Sequence, residues 1–130
     1  MQPIAHGVDL VPVRRIAHLR ARHPERFTAR CFTREERAYC LAQTDRRIDE
    51  HLAVRFAAKE AVLKALGVGW AGGVAWTDVA VRRDAGPPRL VLTGEAARIA
   101  ERQGVRAWLL SLSHSGGDDS YALASTIALG

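Results

Sequence analysis

Apolar and polar positions along the chain follow two periods. Ile4–Leu10 (IAHGVDL) reads as a short strand bounded by Pro3 and Pro12. Val13–His23 is helical in pattern. Pro24 interrupts it and opens a second short helix through Arg30, because proline suits a helix's first turn. Thr33-Arg34-Glu35-Glu36 has the S/T-x-x-E form of a capping box, which predicts a helix to about Gln43. The longest helical signal is His51–Leu66, with Gly67 as its stop. Gly67–Gly73 is a glycine-rich loop. Strands are predicted at Val74–Arg82 and Arg89–Leu92 around the turn Ala85–Pro88. Thr93 caps a helix over Glu95–Gln103 that ends at Gly104. Ala107–Ser113 and Tyr121–Leu129 are two further strands around the loop His114–Ser120. Helices in the first half and strands in the second predict an α+β fold, with the helices packed on a mainly antiparallel sheet.

Composition narrows the class. The 130 residues (14.2 kDa) amount to a single domain, 1–130, without internal repeats or low-complexity stretches. A hydrophobic share of 48% with 25% charged residues argues against disorder, and at 6% aromatics, Ala, Val and Leu must fill most of the core. A net charge of +5 favours an anionic partner. No apolar run approaches the roughly 18 residues that span a bilayer, and MQPIAHGVDLVPVRR lacks the apolar core of a signal peptide, so no membrane partner is expected. Cys31 and Cys40 form no CxxC. They read as free thiols of a cytoplasmic protein, and zinc sites are excluded by count or disfavoured by spacing.

The candidate chemistry lies in three places. In the long helix, Leu52, Phe56, Leu63 and Leu66 define an apolar stripe into which Lys59 falls, with Glu60 and Lys64 beside it. Buried charges need partners or a metal. Glu60 and Lys64, four apart, form a simple helix ion pair on the plainest reading. Asp9 lies in an apolar strand, where it either caps the helix that follows or joins Glu60 as a carboxylate pair of the kind that holds Mg²⁺. His114 closes Leu110-Ser111-Leu112-Ser113 beside a flexible loop. It is either bonded to backbone or turned to a ligand. Two motifs carry nothing. The G-x-G-x-x-G of Gly67–Gly72 follows a helix rather than a strand, and Ser113-His114 has no nucleophile elbow. Arg15, Arg22 and Arg26 are spaced seven and four. They would share one face if a single helix carried them, as either a solvated basic face or a docking surface for an acidic partner.

Together these segments resemble the holo-acyl-carrier-protein synthases, the short, single-domain class of 4′-phosphopantetheinyl transferases. The resemblance rests on Gly7-Val8-Asp9-Leu10 with Arg14-Arg15-Ile16, on Arg55-Phe56-Ala57-Ala58-Lys59-Glu60-Ala61 with Lys64-Ala65-Leu66-Gly67, and on Leu110-Ser111-Leu112-Ser113-His114. It implies transfer of the 4′-phosphopantetheine arm of coenzyme A to a serine of apo acyl carrier protein, with Mg²⁺ as cofactor. By position, Asp9 and Glu60 match the metal-binding acids, and Asp9, Glu60, Lys64 and His114 the catalytic set. Lys59, Lys64, Ser113 and His114 match the contacts to coenzyme A. Arg15, Arg22 and Arg26 match the positions that dock the carrier. The resemblance also implies a homotrimer with active sites between neighbouring subunits. Asp118-Asp119 depart from what a loop beside phosphates would carry. The rival reading is a non-enzymatic, basic nucleic-acid-binding domain. Against it, Trp70, Trp76 and Trp108 lie far along the chain from Arg14–Arg30.

Overall fold

The computed structural model describes Met1–Gly130. The chain runs through strand β1 (Pro3–Pro12) and helices α1 (Val13–Arg22), α2 (Pro24–Cys31), α3 (Arg34–Leu41) and α4 (Asp45–Leu66). Hairpin strands β2 (Val79–Arg82) and β3 (Arg89–Leu92), helix α5 (Gly94–Arg102) and strands β4 (Ala107–His114) and β5 (Tyr121–Leu129) complete it. The fold is α+β as expected. One three-stranded sheet has the order β1-β5-β4, the hairpin β2-β3 is separate, and every pairing is antiparallel. No helix is long and apolar enough to cross a membrane.

Two elements differ from their predicted extents. Helix α4 begins at Asp45 rather than His51. Its first turns, Asp45-Arg46-Arg47, are polar and give no apolar period, yet Ile48 is buried and Asp49 receives a 2.7 Å bond from Arg20 Nε of α1, which fixes them in place. The strand predicted over Val74–Arg82 forms only from Val79. The Asp78 carboxylate accepts from the Ala75 amide at 3.1 Å and curls Trp76–Asp78 into a 3₁₀ turn. Gly67, in the left-handed region at φ 70°, ends α4 as predicted.

The inner face of the large sheet lies on α4. Along β1 this face carries Gly7, Asp9 and Val11, and on β5 Ala122, Ala124 and Ala128. These small residues let helix and sheet come close. A Cβ on Gly7 would stand 1.9 Å from the Ala61 carbonyl oxygen. Two apolar groups meet along α4. One joins Val11, Ile16, Phe32 and Leu52, and the other joins Val62, Leu66, Val79 and Ile99. Each such side chain contributes about 1.5–3 kcal/mol on burial.

The outer face of the same sheet is uncovered and apolar. It presents Ile4, Val8 and Leu10 from β1, Leu109 from β4, and Tyr121 and Leu123 from β5.

Candidate active site

Asp9 is placed by Gly7. The strand can approach α4 only where it carries no side chain, and that contact sets Asp9, two residues on and on the same face, beside the last turns of the helix. Lys64 Nζ donates to Asp9 Oδ1 at 2.9 Å and to the Val8 carbonyl at 3.0 Å. The Asp9 side chain is only 14% exposed, whereas that of Lys64 is 55% exposed. Glu60 stands one turn before Lys64, half-buried. The simple Glu60–Lys64 pair is therefore not formed, because Lys64 reaches across to the strand instead. Asp9 is not a cap either: Pro12 occupies the N-cap of α1, without a side-chain bond. Asp9 and Lys64 thus meet at one edge of α4, and Glu60 lies one turn back on the same helix without an ion-pair partner.

This donor set suits one kind of metal. Two carboxylates, with no group of three or more His, Cys, Asp or Glu, are too few for a zinc site. Hard oxygen ligands in that number fit Mg²⁺, which retains water and accepts phosphate oxygens. Asp9 Oδ1 is engaged by the Lys64 ammonium.

Lys59 must be corrected. Expected to contact coenzyme A, it is fully buried. Its Nζ donates to Glu36 Oε1 at 2.8 Å, to the Trp76 carbonyl at 3.2 Å and to the Val79 carbonyl. All three ammonium protons are taken up inside the protein. Burial lowers its pKa, opposed by the adjacent Glu36 carboxylate.

His114 and Ser113 part company, as successive residues on a strand must. His114 shares the inner face, with Nδ1 3.6 Å from Glu50 Oε2. Glu50 precedes Glu60 by roughly 15 Å of helix rise. His114 therefore stands apart from the acids with which it was grouped, toward the opposite end of α4. Ser113 belongs to the outer face, across the sheet from Asp9.

The three docking arginines do not share a helix. Arg15 and Arg22 lie on α1. The backbone breaks at His23 (φ −140°, ψ 64°), and Arg26 lies on α2. All three are exposed, and the Arg15 guanidinium rests over the Phe56 ring at 5.6 Å. The anomalous loop acids are answered locally: Asp119 faces Arg14 at 3.4 Å and Asp118 faces Arg46 at 3.9 Å.

Sequence reasoning passes over two residues. In the sequence Glu36 is only the far end of a capping box. It does accept from the Thr33 amide at 2.9 Å, but it is also the partner of Lys59 and accepts from Val81 N–H at 2.9 Å. Arg55 is buried with no carboxylate. It lies over the Tyr39 ring at 4.6 Å and donates to the His51 carbonyl at 3.1 Å. Its place inside the buried row Ala53–Ala58 is the available signal. His51 beside it has a lowered pKa, through burial first and then the neighbouring Arg55, Arg47 and His114. The rival nucleic-acid reading loses its stacking platform: Trp70 stacks on Trp76 at 3.8 Å between ring centroids, and Trp76 stacks on Phe56 at 4.7 Å.

Known proteins share this fold. Residues 5–125 match the 4′-phosphopantetheinyl transferase superfamily. The chain is 48% identical over 122 residues to the holo-[acyl-carrier-protein] synthase of Syntrophotalea carbinolica, covering 93% of this chain and 91% of that protein. Among solved structures, the holo-[acyl-carrier-protein] synthase of Neisseria meningitidis superposes with a TM-score of 0.78 at 34% identity, over 99% of this chain and 100% of that one. The Helicobacter pylori synthase in complex with coenzyme A gives 0.79 at 25% identity, over 95% and 99%.

Proposed function

The chain belongs to the 4′-phosphopantetheinyl transferase superfamily, and from that membership we propose how its own residues work, with residues 1–130 forming one transferase domain. The reaction is transfer of the phosphopantetheine group from coenzyme A to apo acyl carrier protein. A carrier serine oxygen forms the new bond to the β-phosphorus of coenzyme A, and the P–O bond to adenosine 3′,5′-bisphosphate breaks. Such a reaction asks mainly for positioning and neutralised charge. Asp9 and Glu60 would hold Mg²⁺, which when bound would withdraw charge from the diphosphate. Lys64, exposed and one turn from Glu60, turns its ammonium to the same phosphates. The serine proton passes to Glu60 or to an ordered water at the site. His114, with the buried Arg55 nearby on α4, serves the nucleotide end of coenzyme A, away from the reacting phosphorus.

The meeting of Asp9 with Lys64, one helical turn from Glu60, is the observation that supports this reading. Incubation with coenzyme A, Mg²⁺ and an apo carrier should add the mass of the arm to the carrier, and chelation of the metal should stop it. No added mass with several carriers would overturn the reading.

The carrier docks on the exposed basic surface of α1 and α2, where Arg15, Arg22 and Arg26 meet acidic side chains. The protein is a homotrimer, and the outer sheet face supports this. Val8 is 51% exposed and Leu10 58%, within an apolar face of a kind soluble monomers rarely leave open. Ser113 lies on that face, so it serves a site shared with a neighbouring copy. Leu10→Lys should lower the mass seen by light scattering to that of a monomer and depress transfer. The protein works in the cytoplasm, where its two free thiols stay reduced.

A further inference from the structure

We propose that the buried Glu36–Lys59 pair is a positioning device: it fixes the setting of α4 that presents Glu60, and it pins the chain where residues 67–75 return to the helix. The proposal rests on the reading above, in which Glu60 serves the transfer.

The first observation concerns what α4 packs with. Around Glu60 the helix buries small residues, Ala57, Ala58 and Ala61, together with the larger Phe56, Val62 and Leu63. Apolar packing of this kind excludes water without direction, and buried polar groups add a geometric requirement to it. Lys59 supplies the direction. Its ammonium is met by Glu36 from α3 and by two carbonyls, of Trp76 and Val79, and Glu36 is completed by the amides of Thr33 and Val81. A fully satisfied buried network admits one arrangement, since any rotation of α4 strands a charge in the core. Glu60 follows Lys59 directly, so with Lys59 fixed inward Glu60 is fixed at the rim.

The second observation concerns the segment after α4. It carries Gly67, Gly69, Gly72 and Gly73, and its only regular structure is the short turn Trp70–Gly72. It rejoins the body at Trp76, whose carbonyl Lys59 holds and whose ring stacks between Trp70 and Phe56. The residue before Glu60 is therefore also the anchor of this segment's far end.

The test is the double variant Glu36→Gln/Lys59→Met. It removes both charges together, so neither is left buried and unpaired, and it keeps the volumes, while one amide and two carbonyls lose their partner. A positioning role predicts three results together: a single cooperative melting transition, faster amide hydrogen exchange across residues 67–79, and a kcat lowered about 10- to 100-fold. The KM for the carrier, which docks elsewhere, stays within about twofold of the parent. A folded double variant with the parent's kcat overturns the proposal, as does unchanged exchange in 67–79. Should the double variant not fold, Lys59→Arg retains the charge while its planar group cannot meet three acceptors placed around a point. It must show the same exchange and kcat changes, and parental values in it overturn the proposal. If the parent itself transfers nothing, the functional reading fails, and the exchange result still decides the clamp.

Discussion

Two lysines on one helix, five positions apart, have opposite surroundings. Lys59 is fully buried, with its three donors spent on Glu36 and two carbonyls. Lys64 is more than half exposed and leans on Asp9 at the strand edge. The family resemblance assigns both to coenzyme A, although Lys59 falls within the apolar stripe of the helix and Lys64 beside it. The difference lies in what covers each side of α4. The Lys59 side is roofed by α3 and β2, and the Lys64 side meets only the edge strand β1. A charge on the roofed side can only specify structure, whereas a charge on the open side can exchange its partner for a ligand.

That contrast can be broken in several ways, the largest first. Asp9→Ala should cost about 100-fold or more in transfer rate, since in the proposed reading it removes one of the two carboxylates that would hold the metal. Lys59→Met alone leaves the Glu36 carboxylate buried and unpaired, and chemical denaturation should show a loss of about 3–5 kcal/mol. Lys64→Met should stay within about 1 kcal/mol in the same measurement, because its pair is solvent-screened, while transfer falls. Equal stability losses for the two lysines would erase the distinction.

Smaller effects sharpen it. Gly7→Ala must push β1 off α4, with a cost of about 1–3 kcal/mol and a drop in activity as Asp9 moves from Lys64. His51 titrates below its ordinary 6.5 because burial disfavours its charge. The unfolded chain therefore binds the proton first as pH falls, so this contribution is complete above about pH 6.5 and is lost below it. Melting temperature should decline on that acidic side, and His51→Gln should flatten the decline. At the smallest scale, burial pushes the Cys40 thiol up to about 11, so alkylating reagents at pH 8 should leave it unlabelled in the folded protein.

Much of the fold and of the site is legible in the order of residues alone. The capping box at Thr33, the glycine stop at Gly67 and the strand Tyr121–Leu129 are local devices, and they stand where local chemistry puts them. Asp9, Glu60 and Lys64 are recognisable as charges that an apolar strand and helix would not carry idly. What stays hidden is long-range. Nothing near Lys59 in sequence shows that Glu36 lies against it, 23 positions earlier. The start of α4 escapes the pattern because Asp45-Arg46-Arg47 has no apolar period and is secured by Arg20 of another helix. The opposite facing of Ser113 and His114 follows from strand geometry, but which of them faces α4 depends on the pairing of β4 with β5.

The central claim is that the open edge of α4 does the chemistry, and Glu60 tests it most directly because it contributes least to the fold. The measurement is kcat of Glu60→Gln for arm transfer, taken with its melting temperature. The account predicts a melting temperature within about 3 °C of the parent and a kcat at least about 100-fold lower. A folded Glu60→Gln protein that transfers at the parent's rate would contradict it.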